Sequence, residues 1–177
     1  NNASHEALSL QLQDKTMGRY YLAVVTPPLK EKLMEVEKPI GRSSNNRLKM
    51  AIIETGKYAK TAFHKLLQSH DESSELIVCK LFTGRTHQIR VHLESISRHI
   101  LGDHLYGYSS KDSKIERILL HAYNLYFIHP SSGKKMSFVA PLDEVMHEHI
   151  EKHFNTKDLH ALIDPLYIES CFSSSPF

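Results

Sequence analysis

A strand-like run from Glu75 to Phe82 leads into Thr83-Gly84 and then Arg85-Thr86-His87-Gln88-Ile89-Arg90-Val91-His92-Leu93. Backbone N–H groups at the start of a helix lack intrahelical partners and attract anions. Arg85 and Thr86 near such a start suit a phosphate, and Arg90 lies about one turn further in. The same residues also fit a capped helix whose polar side chains face solvent. Side-chain chemistry alone leaves both readings open.

Thirteen histidines raise the question of metal. His87 and His92 are five residues apart, about 140° around a helix, so they do not converge on one ion. No His-Glu-x-x-His appears. Cys79 and Cys171 are the only cysteines. They make no disulfide framework and no Cys-x-x-Cys pair, so no metal site is expected and a reducing cytoplasm is the default location.

The elements that must position these residues read as follows. Residues 5–15 lack Gly and Pro, and their Glu, Ala, Gln and Leu content favours a helix. Arg19 to Thr26 is aromatic and β-branched and stops at Pro27-Pro28, as a strand does. Residues 29–46 read as a long loop, and Leu48 to Glu54 as a short strand ended by Gly56. Lys57 to Leu67 is ambiguous, because Ala59, Ala62, Phe63 and Leu66 recur at helical spacing. A helix is expected from about Thr86 to Arg98, with Ile89, Leu93 and Ile96 inward. Leu119 to His129 and Lys135 to Val139 flank Pro130-Ser131-Ser132-Gly133 as a hairpin. A last helix from about Leu142 to Phe154 turns Val145, Met146, Ile150 and Phe154 inward, with Asp143 well placed for its dipole. Beyond Thr156 the chain is expected to fray. Strands outnumber helices and do not alternate with them, so the class is α+β with a mixed, largely antiparallel sheet and flanking helices.

The chain of 177 residues can bury a core as one domain. With 41% hydrophobic and 24% charged residues it is globular rather than disordered. No apolar run approaches the ~20 residues of a membrane span. The start, Asn1-Asn2-Ala3-Ser4-His5-Glu6, is not a signal peptide. It lacks an initiator Met, which suggests a chain cut from something longer, with Met removal or processing as the other explanation. The formal net charge is +2, but residues 42–100 carry ten basic and five acidic side chains, a net +5. That segment fits either a polyanion footprint or a solvated face.

Two motifs together, Gly84-Arg85-Thr86-His87-Gln88-Ile89-Arg90 and Leu101-Gly102-Asp103-His104-Leu105-Tyr106-Gly107, resemble the C-terminal motif of the RluA-type RNA pseudouridine synthases. The resemblance extends over roughly residues 6–150. It takes in Gln13 to Ala23, Pro39 to Arg42, Met50, Gly56 to Thr61, Leu120-His121-Ala122, His129-Pro130 and Phe138 to Pro141. It implies a pseudouridine synthase-like fold, with a strand at Lys57 to Leu67. It implies isomerisation of uridine to pseudouridine in ribosomal or transfer RNA, with neither metal nor organic cofactor and no membrane. Tyr21 matches the tyrosine that stacks on the target uracil and is implicated in the proton step, which suits a phenol with a flat apolar face and a polar tip. Tyr20 is the neighbouring alternative, and alternation lets only one of them face the site. Arg90 matches the arginine that pairs with the catalytic aspartate; a guanidinium holds a carboxylate at two points and keeps it ionised. Arg85, Thr86, His87 and Gln88 then line the pocket or bind RNA, and Leu101-Gly102-Asp103 sets a turn.

The chain departs from the family in one respect. The family nucleophile sits in a His-Arg-Leu-Asp motif, and none of Asp14, Asp71, Asp103, Asp112, Asp143, Asp158 and Asp164 follows His-Arg-Leu. The expectation is a partial catalytic domain, residues 1–155, lacking its N-terminal part, and a C-terminal tail, residues 156–177, of unknown role. Such a piece exposes a sheet edge and apolar surface and is inactive alone. The competing readings are a degenerate homologue that binds RNA without catalysis, and an unrelated interaction or metal-binding domain.

Overall fold

The computed structural model describes residues 2–14, 16–109 and 115–173. Asn1, Lys15, Asp112 and Ser174 to Phe177, which figure in the expectations above, lie outside them. The chain opens with helix α1 (Asn2–Asp14) and strand β1 (Gly18–Thr26). Strands β2 (Leu33–Glu37), β3 (Ile40–Arg42), β4 (Met50–Ile52), β5 (Lys60–Gln68) and β6 (Glu75–Leu81) follow. Helix α2 (Gln88–Glu94) and the two-residue β7 (His99–Ile100) lead to a 3-10 turn at His104–Tyr106. Then come β8 (Leu120–Ile128), β9 (Lys135–Val139), α3 (Glu144–His153), α4 (Leu159–Leu162) and α5 (Pro165–Cys171).

The main sheet runs β2-β5-β6-β1-β8-β9, with β7 added to β1 beyond the end of β8. Every pairing among the described strands is antiparallel, and β3–β4 form a separate hairpin. The strand expected at Lys57 to Leu67 is β5. Its helical spacing of apolar residues loses to the sheet, because Thr61, Ala62, Phe63 and His64 are all buried. A period of 3.6 is uninformative where both faces of a strand are covered.

Strand alternation sorts the core onto the two faces. Tyr20, Leu22 and Val24 of β1 and Leu76 and Val78 of β6 pack with Met146, Ile150 and Phe154. Ala23 and Val25 of β1 and Ile77 and Cys79 of β6 pack on Ile89 and Leu93 of α2.

Several expectations are corrected. The loop at 29–46 contains β2 and β3; charged residues such as Glu35 and Glu37 obscured them, yet both glutamates hold Lys60 on the neighbouring β5. Helix α2 stops at Glu94 rather than Arg98. Ser97 takes a left-handed φ of 57°, and the Arg98 N–H donates back to the Leu93 carbonyl, which turns the chain into β7. Val145 is 45% exposed, while Met146, Ile150 and Phe154 point inward as expected. Residues 157–173, past Thr156, do not fray. Asp164 caps α5, and Leu159, Ile163, Ile168 and Phe172 are buried in the core that residues 20–24 help to form. Helix α1 is the opposite case. It buries no side chain, and Gln11 fastens it to the Ile128 backbone by two hydrogen bonds of 2.7 Å.

Candidate active site

The turn from β6 into α2 is built around one buried amide. Gln88 Oε1 accepts from Thr83 Oγ1 at 2.7 Å and from the Arg85 N–H at 2.9 Å. Its Nε2 donates to the Lys60 carbonyl and to Thr61 Oγ1, both at 2.9 Å. All four hydrogen-bonding positions of the amide are used. One turn on, His92 is fully buried between Thr61 Oγ1 (2.9 Å to Nδ1) and the Lys38 carbonyl (3.1 Å to Nε2). A carbonyl only accepts, so Nε2 carries the proton and Nδ1 accepts from the threonine hydroxyl. Burial pushes the His92 pKa down, against the opposing pull of the hydrogen bond to the Lys38 carbonyl, and the Lys38 charge adds to the lowering. These bonds bolt the start of α2 to β5.

Further along α2, Arg90 meets Asp103 in a two-point ion pair: Nε to Oδ2 at 2.8 Å and Nη2 to Oδ1 at 2.7 Å. The Asp103 side chain is 1% exposed and that of Arg90 is 18% exposed. Donating these hydrogen bonds to Asp103 raises the Arg90 pKa further. Asp103 also accepts from the Tyr106 N–H and so caps the 3-10 turn. The Tyr106 ring lies 4.5 Å from the Arg90 guanidinium carbon, in cation–π contact. Its hydroxyl accepts from the Met50 N–H at 2.7 Å and sits 2.9 Å from His87 Nδ1. His87 is the N-cap of α2 and takes a left-handed φ of 57°. Such a conformation costs a non-glycine residue about 1–2 kcal/mol. Burial and the nearby Arg90 lower the His87 pKa, so the ring is neutral and free to accept from the Tyr106 hydroxyl.

Gly102 makes this return possible. Its φ is +80°, and a Cβ there would overlap the Arg117 carbonyl. The Leu-Gly-Asp turn is therefore present as expected, but Asp103 does more than set it. Asp103 and Tyr106 are the two site residues whose parts were not anticipated. The signal available was a carboxylate in a glycine turn thirteen residues after Arg90.

Tyr20 and Tyr21 separate as alternation requires. Tyr20 is 2% exposed, its ring centroid lies 5.7 Å from that of Phe172 and 5.5 Å from that of Tyr126, and burial raises its pKa strongly. Tyr21 is partly exposed and packs against the cluster containing Ile89 and Leu93 of α2. The register of β1 on β8 shifts between these two tyrosines, a bulge that re-aims the strand there.

The anticipated residues thus fall into two groups. Arg85, Thr86, His87, Gln88 and Arg90 share one turn-helix unit; Tyr21 joins them through the apolar cluster beneath α2. Arg85 is half-buried, with Nε donating to the Tyr58 carbonyl, and Thr86 is exposed. Gln88 shapes the unit from inside and presents no atom to a ligand. Among the described residues no cluster of three metal-ligating side chains occurs, and no helix is long and apolar enough to cross a membrane.

Comparison with known proteins is consistent with this geometry. The RNA pseudouridylate synthase family profile matches residues 1–95. A Helicobacter pylori protein named an uncharacterized RNA pseudouridine synthase is 48% identical over 170 residues, covering 93% of this chain and 52% of that protein. A ribosomal large subunit pseudouridine synthase D of Zymomonas mobilis is 40% identical over 152 residues, covering 81% of this chain and 47% of its own. The chain spans about half the length of these relatives. Among solved structures, human RNA pseudouridylate synthase domain containing 4 superposes with a TM-score of 0.66 over 86% of this chain and 67% of that one, at 21% identity, so it bears on the fold alone. With more than half of its residues matched by the family profile and its two motifs joined at one ion pair, the chain belongs to the RNA pseudouridylate synthase family, as its RluA-type motifs imply.

Proposed function

We propose that the chain forms the substrate-binding side of an RNA pseudouridine synthase that isomerises chosen uridines of ribosomal or transfer RNA to pseudouridine in the cytoplasm, without metal or organic cofactor. The observation that carries this reading is the Arg90 fork, held beside the left-handed start of α2 on the sheet face that carries Tyr21. In this reading Tyr21 stacks on the extruded uracil and serves the proton step. Arg85 and Thr86 meet the RNA backbone at the α2 start. Arg90 presents its charge to the reacting nucleotide or to the attacking carboxylate. Extruding a uridine costs a few kcal/mol of unstacking, which favours loop targets.

Asp103 does not fit the attacking group. It is buried, and its oxygens are occupied by Arg90 and the Tyr106 N–H. This observation also supports a second reading, an RNA-binding module without catalysis, since Arg90 has a carboxylate partner inside this chain.

The test is to map pseudouridines in the RNA of cells lacking the gene, and to restore the gene. Loss of one or a few pseudouridines, regained with the wild-type copy, is expected. The purified full gene product carrying Tyr21→Phe should turn over about 10²–10⁴-fold more slowly. An unchanged pseudouridine map, with RNA still bound by the protein, replaces the enzyme reading with the binding one.

A further inference from the structure

We propose that Asp103, together with the ring of Tyr106, is a positioning device that fixes the plane and reach of Arg90. The inference rests on the reading of Arg90 as a site residue. One loop holds this side chain directly, and contacts from two other places brace that loop. Helix α2 supplies Arg90, and the Gly102–Gly107 loop supplies both holders, with left-handed φ at each end, +80° at Gly102 and +88° at Gly107. Strand β4 pins the Tyr106 hydroxyl through the Met50 N–H, and His87 occupies the hydroxyl from the other side.

Stability alone is a weak reason for such an arrangement. A largely buried ion pair gains in Coulomb attraction about what its desolvation costs. Two other things follow from the geometry. The two-point bond uses Nε and Nη2 and so defines the guanidinium plane, leaving the Nη1 corner directed away from Asp103. The ring contact then stops that plane from tilting. A long side chain that would sample many rotamers in solution is reduced to one, so it need not be ordered when RNA arrives. The pair also sets the local charge. Asp103 offsets Arg90, so the cluster attracts RNA less than a lone arginine would and acts through direction instead.

The inference is tested in the full gene product by Asp103→Asn, which keeps the shape and an acceptor for the Tyr106 N–H. The expected result is a kcat about 10–100-fold lower with KM unchanged or lower, because Arg90 loses the charge that offset it. Arg90→Lys keeps the charge and removes the fork, so it should lose a comparable factor. The double variant should be no worse than the poorer single one. In the NMR spectrum of the full gene product, the Arg90 Nε–H signal should be protected from exchange in the wild type and lost in Asp103→Asn. Should that variant not fold, Tyr106→Leu, which removes the ring and leaves the ion pair, must show the same fall in kcat at unchanged KM. A kcat for Asp103→Asn equal to wild type, or losses that simply multiply in the double variant, overturns the inference while leaving the enzyme reading intact. Full turnover by Arg90→Lys overturns it together with the role given to Arg90.

Discussion

Both faces of the sheet carry a buried apolar cluster, and they differ in what else they bury. The α2 face carries buried polar groups, and these are hydrogen-bonded in a chain that runs Lys38–His92–Thr61–Gln88–Thr83 and, beside it, Asp103–Arg90. The α3–α5 face is mostly apolar, with Tyr20, Leu22, Met146, Ile150, Ile168 and Phe172 in contact. Hydrogen bonds are directional and costly to leave unmade, so the first face fixes geometry. Apolar burial is non-directional and scales with area, so the second face supplies stability. The candidate active site sits where geometry is fixed.

If that division holds, a cavity on the apolar face must cost stability and spare the chemistry. Ile168→Ala should destabilise the protein by about 2–5 kcal/mol in urea unfolding while leaving the kcat of the folded full gene product unchanged. A matching fall in kcat would show that the two faces are coupled.

A cut on the polar face must do the reverse in proportion. Gln88→Ala leaves the Arg85 N–H and Thr61 with unpaired groups and should cost about 1–3 kcal/mol of stability. Its larger effect should be on turnover and RNA affinity, because the Arg85–Thr86 turn loses its central support. Unaltered RNA binding by this variant would separate the turn from the substrate.

The smallest expected effect is a pH dependence on the apolar face. His149 Nε2 is buried without a partner among the described residues, and burial, with His153 and Lys152 adding, lowers its pKa from 6.5 to about 4. A folded pKa below the unfolded one means that the unfolded chain binds the proton more readily. The stability contribution is therefore present above pH 6.5 and lost as pH falls from 6.5 to about 4. Discounted for partial exposure, this is on the order of 1–2 kcal/mol. Unfolding midpoints measured across that window should fall in the wild type and fall less in His149→Gln. Parallel curves for the two proteins would assign the acid sensitivity elsewhere, with His64 on the same face and His87 and His92 on the α2 face as the other histidines of lowered pKa.

Much of the fold was legible because its signals are local. The strands at β1 and β6 follow from β-branched runs, the β8–β9 hairpin from its turn residues, and α3 from its apolar spacing and Asp143 cap. The misses share a cause. Strands β2 and β3 lie in a charged stretch whose glutamates matter only once Lys60 lies opposite them. Helices α4 and α5 are too short for a periodic signal, and α5 is anchored by Ile168 and Phe172 against residues far away in sequence. At the site, the residue types and their spacing along α2 were readable; strand alternation left Tyr20 and Tyr21 as alternatives, and the family resemblance assigned the role to Tyr21.

What the sequence by itself determined is the inventory of chemistry: an arginine one turn into a helix, a glycine turn followed by a carboxylate, and a tyrosine pair on a strand. Helical and strand periods are intrinsic to the backbone, so these relations hold wherever the elements pack. The tertiary structure decided partnership. It gave Arg90 to Asp103, buried Gln88 and His92 as supports, and sent Tyr20 into the core and Tyr21 to the α2 face. Such pairings join residues distant in the chain, and only the folded arrangement of strands brings their atoms within a hydrogen bond of one another.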